Sequence, residues 1–208
     1  ITGSSGFIGF HLATSLSESN IVLGIDNHNS YYSKKIKDKR LSILKNKKNF
    51  SYKKINLKNE KILQKIFERF KPDTVYHIAG QPGVLYSFKN PKSYKINNTH
   101  VTKIICKVCK KNKINNFIFA SSSSVYGDQK KFPIKENNTL RPVNYYAKTK
   151  LRSEEIIYRT FSHTKINFII FRFFTVYGPF GRPDMFIHKL LNSIKLNKTI
   201  KVHNRGLN

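Results

Sequence analysis

Acid is what this chain has least of: 11 Asp and Glu stand against 39 Lys and Arg, a formal charge of +28. Such an excess first suggests a nucleic-acid or anionic-surface partner. The lysines, however, run all along the chain among Asn and Ile, and no single arm or stripe collects them. The densest stretch, residues 34–54, reads as a solvated helix and loop rather than a nucleic-acid surface. A basic surface would also draw in a polyanionic small substrate. Cysteine is nearly absent. Cys106 and Cys109 are too few for a disulfide scaffold and suit a reducing, cytoplasmic setting. They form C-x-x-C without a second pair or a His cluster, so no metal is expected and both read as small core residues. No apolar run reaches the length of a membrane span, and no basic-then-apolar leader is present. The only methionine is Met185 and residue 1 is Ile, so the chain reads as a fragment lacking its N-terminus.

What is present is an alternation. Short continuous apolar runs at 21–25, 74–79, 117–120 and 166–171 have the pattern of buried parallel strands, covered on both faces. Helical spacing fills the gaps: Ile62, Ile66, Phe67 and Phe70; Val101, Ile104, Ile105 and Val108; Leu151, Glu154, Tyr158 and Phe161; Ile187, Leu190, Leu191 and Ile194. Alternating strand and helix predicts an α/β fold with a doubly wound parallel sheet and right-handed crossovers.

The chain opens ITGSSGFIGFHLATSL, with Gly3, Gly6 and Gly9 three apart and an amphipathic helix following. Such glycines let a backbone turn sharply against a pyrophosphate, which the helix N-terminus then holds with free N–H groups. The sheet's first strand is expected just before Thr2. Asp26 ends the next apolar run, at the interval where a carboxylate receives an adenosine ribose and repels a 2′-phosphate, which favours NAD. Further on, Tyr146 and Lys150 lie four apart, one helical turn, on one face. A tyrosine acts as a base only if its pKa falls from about 10 toward neutrality, and an adjacent ammonium acts in that direction. A third feature is the run FASSSSVYG at 119–127, hydroxyls at the C-terminal end of a strand, where open parallel sheets bind ligands.

TGSSGFIGFHLA, DNHNSYY, HIAGQPGV, SSSSVYG, YAKTK and RFFTVYGPFGRPDM stand in that order. Together they resemble the extended short-chain dehydrogenase/reductase family, the nucleotide-sugar epimerases and dehydratases, and the last segment is similar to its UDP-glucuronate 4-epimerase branch. The resemblance covers essentially the whole chain. It implies a Rossmann-type NAD-binding domain over 1–178 and the start of a smaller substrate lobe over 179–208, the rest of which is missing. It implies Ser122, Tyr146 and Lys150 as catalytic residues. Gly3, Gly6, Phe7, Ile8, Gly9, Asp26, Asn27, Asn56, Leu57, Ala79, Gly80, Asn98, Lys150 and Phe173 would bind NAD. Ser123, Ser124, Thr175 and Arg182 would meet the UDP-sugar, and Phe174 would pack near the nicotinamide. The family's dehydratases and decarboxylases carry a Glu where this chain has Ser124, so the resemblance implies epimerisation. It also implies a homodimer through the helices around 91–113 and 146–161, although Lys103, Lys107, Lys110 and Lys111 lie on the first.

Several positions depart from the family pattern. Asn56 replaces an Asp that receives the adenine amino group, Val101 replaces a helix Gly, and Leu85 replaces an Arg usual in the uronate branch. Leu85 therefore leaves open an epimerase for a neutral or N-acetylated UDP-sugar. A non-catalytic relative binding RNA or a protein partner is the reading from another class. The isolated 208-residue piece is expected to be poorly soluble or inactive. His11, His77 and His188 receive no role.

Overall fold

All five strands of the computed structural model, which describes residues 1–200, run parallel. They are β1 (Val22–Asp26), β2 (Phe50–Lys54), β3 (Thr74–His77), β4 (Asn116–Ser122) and β5 (Asn167–Phe173). Residues 201–208, the end of the segment assigned to a substrate lobe, lie outside the described residues. Thr2 bridges Ile25 of β1 and His77 of β3, so the N-terminal residues form a strand stub between the two pairs. The order across the sheet is β2-β1-stub-β3-β4-β5. The chain runs from the stub outward to β1 and β2, then crosses through α3 to β3 on the stub's other side, which makes the C-terminal end of the stub the topological switch point where such sheets bind ligands.

The helices are α1 (Phe7–Leu16), α2 (Lys34–Lys45), α3 (Glu60–Phe70), α4 (Val84–Lys89), α5 (Pro91–Tyr94), α6 (Val101–Lys111), α7 (Tyr145–Phe161) and α8 (Phe186–Lys195). A π-helical stretch, Lys95–His100, joins α5 to α6. Local chemistry sets several boundaries. Asn144 caps α7 by accepting from the Ala147 N–H at 2.9 Å, Asn59 caps α3 by accepting from Ile62, and Pro91 occupies the first turn of α5.

Two apolar clusters hold the layers together. One joins the sheet to α3, α6 and α7 through wholly buried Leu63, Ile105, Phe117 and Ile157, each contributing about 1.5–3 kcal/mol by leaving water. The other packs Phe10 and Ala13 of α1 and Leu44 of α2 on Val22 and Phe50. Cys106 and Cys109 are free thiols inside the first cluster. The lysines of α6 at 103, 107 and 110 are exposed, and Lys107 pairs with Glu60 at 2.6 Å.

The sequence reading needs four corrections. Residues 50–54 form a strand, not a loop; β2 is an edge whose exposed Lys53 and Lys54 mask its pattern. In α3 the buried positions are Leu63 and Phe67, and Ile62 is turned outward. In α7 the inner face is Lys150, Ser153, Glu154, Ile157 and Phe161, with Tyr158 exposed, because this helix packs polar groups against the site. Lys37 and Arg40, read as part of a solvated stretch, are buried at 5% and 0% exposure.

Candidate active site

A cavity of about 390 Å³ opens over the C-terminal ends of β1, the stub, β3 and β4. Its floor begins at the glycine turn. Gly3 has φ +73°, and a Cβ there would meet the Ala79 backbone at 2.8 Å; a Cβ on Gly9 would stand 2.1 Å from the Gly3 carbonyl. Only glycine lets the turn close this tightly on the start of α1. Gly3, Gly6, Phe7, Ile8 and Gly9 all line the cavity, so the first turn of α1 presents its unpaired N–H groups to it. Asp26 ends β1 at the same wall. Its carboxylate accepts from the Ser5 N–H at 3.1 Å and the His28 N–H at 2.7 Å. Asn27, Asn56 and Leu57 continue this side, the Asn56 side chain accepting from the Lys58 N–H.

Ala79 and Gly80 line the middle of the cavity. Asn98 stands behind this wall rather than on it. It accepts from the Gln81 N–H at 2.6 Å and donates to Thr149 at 3.0 Å, which fixes the loop after Gly80 against α7. Beyond it, Tyr94 donates to the Pro82 carbonyl at 2.8 Å and holds the next turn of that loop.

The far wall carries the predicted hydroxyls and the tyrosine–lysine pair. Ser121 and Ser122 are the last residues of β4, and Ser123 and Ser124 open a short 3₁₀ turn. Ser122 accepts from the Ser124 N–H at 3.2 Å and donates to the Ser124 hydroxyl at 3.1 Å. Tyr146 and Lys150 project from the first two turns of α7, and both line the cavity. The Lys150 ammonium donates to the Ala120 carbonyl at 2.7 Å and lies 4.8 Å from the Phe119 ring centroid. Burial brings its pKa down to about 8, opposed by the charge of Glu154. Burial raises the Tyr146 pKa, against which the Ser122 hydroxyl and the Arg182 charge both act. Arg182 is thus a cation acting on the phenol that the sequence reading did not name in that role, on the same cavity as Lys150.

The roof comes from the segment after β5. Phe173, Phe174, Thr175 and Arg182 all line the cavity. Arg182 forms a two-point pair with Asp184, at 3.0 Å and 2.5 Å, and Asp184 accepts from the Tyr31 hydroxyl at 3.5 Å. Leu85 is 69% exposed on α4 and is not part of the cavity wall, unlike Val84 beside it.

Sequence reasoning missed Tyr31, Tyr94, Gln81, Lys37, Arg40, Thr149 and Asp184. Lys37 and Arg40 lie three apart on one helical face, but the lysines around them hide that spacing.

A nucleotide-holding α/β protein is the class that this turn, carboxylate and strand-end cleft define. Residues 1–208 match the NAD dependent epimerase/dehydratase family, and the chain belongs to it. A protein of Methanocaldococcus jannaschii is 41% identical, covering 99% of this chain and 64% of that protein. The probable UDP-glucuronate 4-epimerase of Rhizobium meliloti is 36% identical, with 99% and 61% covered. Among solved structures, UDP-glucuronic acid 4-epimerase from Bacillus cereus, in complex with UDP-glucuronic acid and NAD, superposes with a TM-score of 0.89. It is 34% identical, with 95% of this chain and 62% of that one covered. UDP-N-acetylglucosamine 4-epimerase from Methanobrevibacter ruminantium gives 0.83 at 30% identity, with 95% and 62% covered. The chain thus spans a little under two thirds of the length of these relatives.

Proposed function

We propose that the protein is an NAD-dependent 4-epimerase of a nucleotide sugar, converting UDP-glucuronate to UDP-galacturonate. The observation that carries this reading is the convergence of Ser122, Tyr146 and Lys150 on the same cavity as the glycine turn and Asp26. The donor set fits NAD: free helix N–H groups suit a pyrophosphate, and a carboxylate at Asp26 suits two ribose hydroxyls and disfavours a 2′-phosphate. When bound, NAD would supply reversible hydride acceptance at carbon 4 of the sugar.

The chain's own groups do the rest. Tyr146 takes the proton from the 4-hydroxyl and gives it back after inversion. Ser122 donates its one hydroxyl proton in a hydrogen bond to the same oxygen. Lys150, held by the Ala120 carbonyl, supplies positive charge beside the nicotinamide ribose. Ser123, Ser124 and Thr175 offer hydroxyls to the sugar, and Arg182 offers a fork to the diphosphate or the uronate carboxylate. The UDP-glucuronate assignment draws on the named relatives at 36% and 34% identity. Incubating the native gene product with NAD and UDP-glucuronate, and with UDP-glucose and UDP-N-acetylglucosamine in parallel, tests it. Preferential formation of UDP-galacturonate supports the reading; preferential turnover of either neutral sugar refutes the uronate assignment.

A further inference from the structure

Arg40 is wholly buried in α2, and among the described residues no carboxylate bonds its guanidinium. Its donors go instead to neutral oxygens on three separate segments. One nitrogen reaches the Ser5 carbonyl at 3.0 Å, within the glycine turn, and the Tyr32 hydroxyl at 2.6 Å, in the loop after β1. The other two converge on the Phe180 carbonyl at 3.2 and 2.6 Å, and one also reaches Gly181 at 3.3 Å. Phe180 and Gly181 immediately precede Arg182. The same loop is held from α1, where His11 bonds the Pro179 carbonyl at 2.8 Å and Phe10 packs edge-on against Phe180 at 5.3 Å.

A buried cation without an anionic partner is costly. What only a guanidinium supplies is a planar fork rigid enough to fix several carbonyls in one arrangement; a lysine ammonium is a point donor on a flexible stem. The distances therefore assign Arg40 to geometry rather than to packing.

We propose that Arg40 is a positioning residue that couples the glycine turn to the loop carrying Arg182, so that dinucleotide binding orders the grip on the sugar nucleotide. The mechanism is local. A pyrophosphate on the turn fixes the Ser5 carbonyl, Ser5 fixes the fork, and the fork fixes Phe180 and Gly181. Arg182 then stands over the cavity beside Tyr146. This rests on the proposed function for the identity of the sugar nucleotide, but not for the tie itself.

Amide hydrogen exchange by mass spectrometry on the native gene product tests the tie directly. In the wild-type protein NAD is expected to slow exchange at residues 179–184 as well as at 3–9. Protection confined to 3–9 would overturn the proposal, and this measurement needs no variant to fold. In Arg40→Lys, NAD affinity is expected to stay within about threefold, while UDP-glucuronate binding with NAD present weakens about tenfold, the scale of an ordinary coupling between sites. In an Arg182→Ala background the same change is expected to add less than about twofold, because residues acting through one another are not additive. Equal losses in both backgrounds would mean a merely structural role and overturn the proposal. A wild-type protein that binds no UDP-sugar, yet shows NAD-linked protection at 179–184, would refute the substrate reading and uphold the tie.

Discussion

The Ser121 hydroxyl donates to the carboxylate of Glu154 across the interface between β4 and α7. The serine run at 121–124 contains no acid, but one sits directly behind it. Arg172 of β5 grips the same carboxylate, with contacts at 2.9, 3.2 and 3.3 Å, and reaches on to the Tyr126 hydroxyl at 3.2 Å. Glu154 is 4% exposed, so it cannot serve as a solvent-facing acid. It locks the end of the strand that carries Ser122 to the helix that carries Tyr146 and Lys150.

Replacing Glu154 with Gln leaves Arg172 without its counter-charge in a largely buried place. Breaking such a pair costs several kcal/mol when burial is complete. With Arg172 partly exposed, a loss of about 2–3 kcal/mol is expected, read from the urea midpoint at constant slope. An unchanged midpoint would contradict the structural role given to this pair.

Under the proposed mechanism, Lys150 is expected to give the activity an alkaline limit. Its pKa of about 8 means the ammonium is lost as pH rises through that value, and with it the charge offered to the nicotinamide ribose. The rate is expected to fall on the alkaline side with an apparent pKa near 8. In Lys150→Arg the residual activity should keep its rate beyond about pH 10, because a guanidinium stays charged there. Measuring kcat/KM against pH for both proteins checks this; a limb unmoved in the variant would assign it to another group.

Much of this arrangement was legible in the sequence. The glycine turn, Asp26, the serine run and the tyrosine–lysine pair are local patterns with a fixed reach, and each falls on the same cavity. The parallel, doubly wound class of the sheet also followed from alternation, but its order did not. What stayed hidden were groups whose meaning depends on distant partners. Arg40 was one cation in a crowd until the fold brought the carbonyls at 180 and 181 to it. Glu154 read as one position on an otherwise apolar face, yet β4 and β5 supply its two partners. β2 was concealed by edge lysines, and the inner face of α7 by its polarity.

His77 is wholly buried between the hydroxyls of Thr2 at 2.8 Å and Thr102 at 3.1 Å. Burial, with Lys150 nearby, lowers its pKa from 6.5 to about 3. Below pH 6.5 the unfolded chain takes up a proton that the folded chain refuses, so stability is full above 6.5 and lost as pH falls toward 3. In that window the slope from this one group approaches about 1.4 kcal/mol per pH unit. His77→Asn is expected to remove that increment, seen in urea unfolding at a series of acidic pH values. Equal slopes in both proteins would contradict it.

Ser124 tests why the run lacks an acid. A 4-keto uronate is a β-keto acid, and a carboxylate at this position would supply the acid/base group that loss of carbon dioxide needs. Ser124→Glu is expected to divert UDP-glucuronate toward a UDP-pentose. No rise in pentose product, with the variant folded and still binding substrate, would count against the role given to the serine.

The central claim is that the Tyr146 phenol moves the proton of the 4-hydroxyl. The most direct measurement is the rate of inversion at carbon 4 by Tyr146→Phe in the native gene product, with NAD and UDP-glucuronate binding measured alongside. The account predicts a loss of about 10²–10⁴-fold in kcat with both affinities retained. Inversion at the wild-type rate would contradict it.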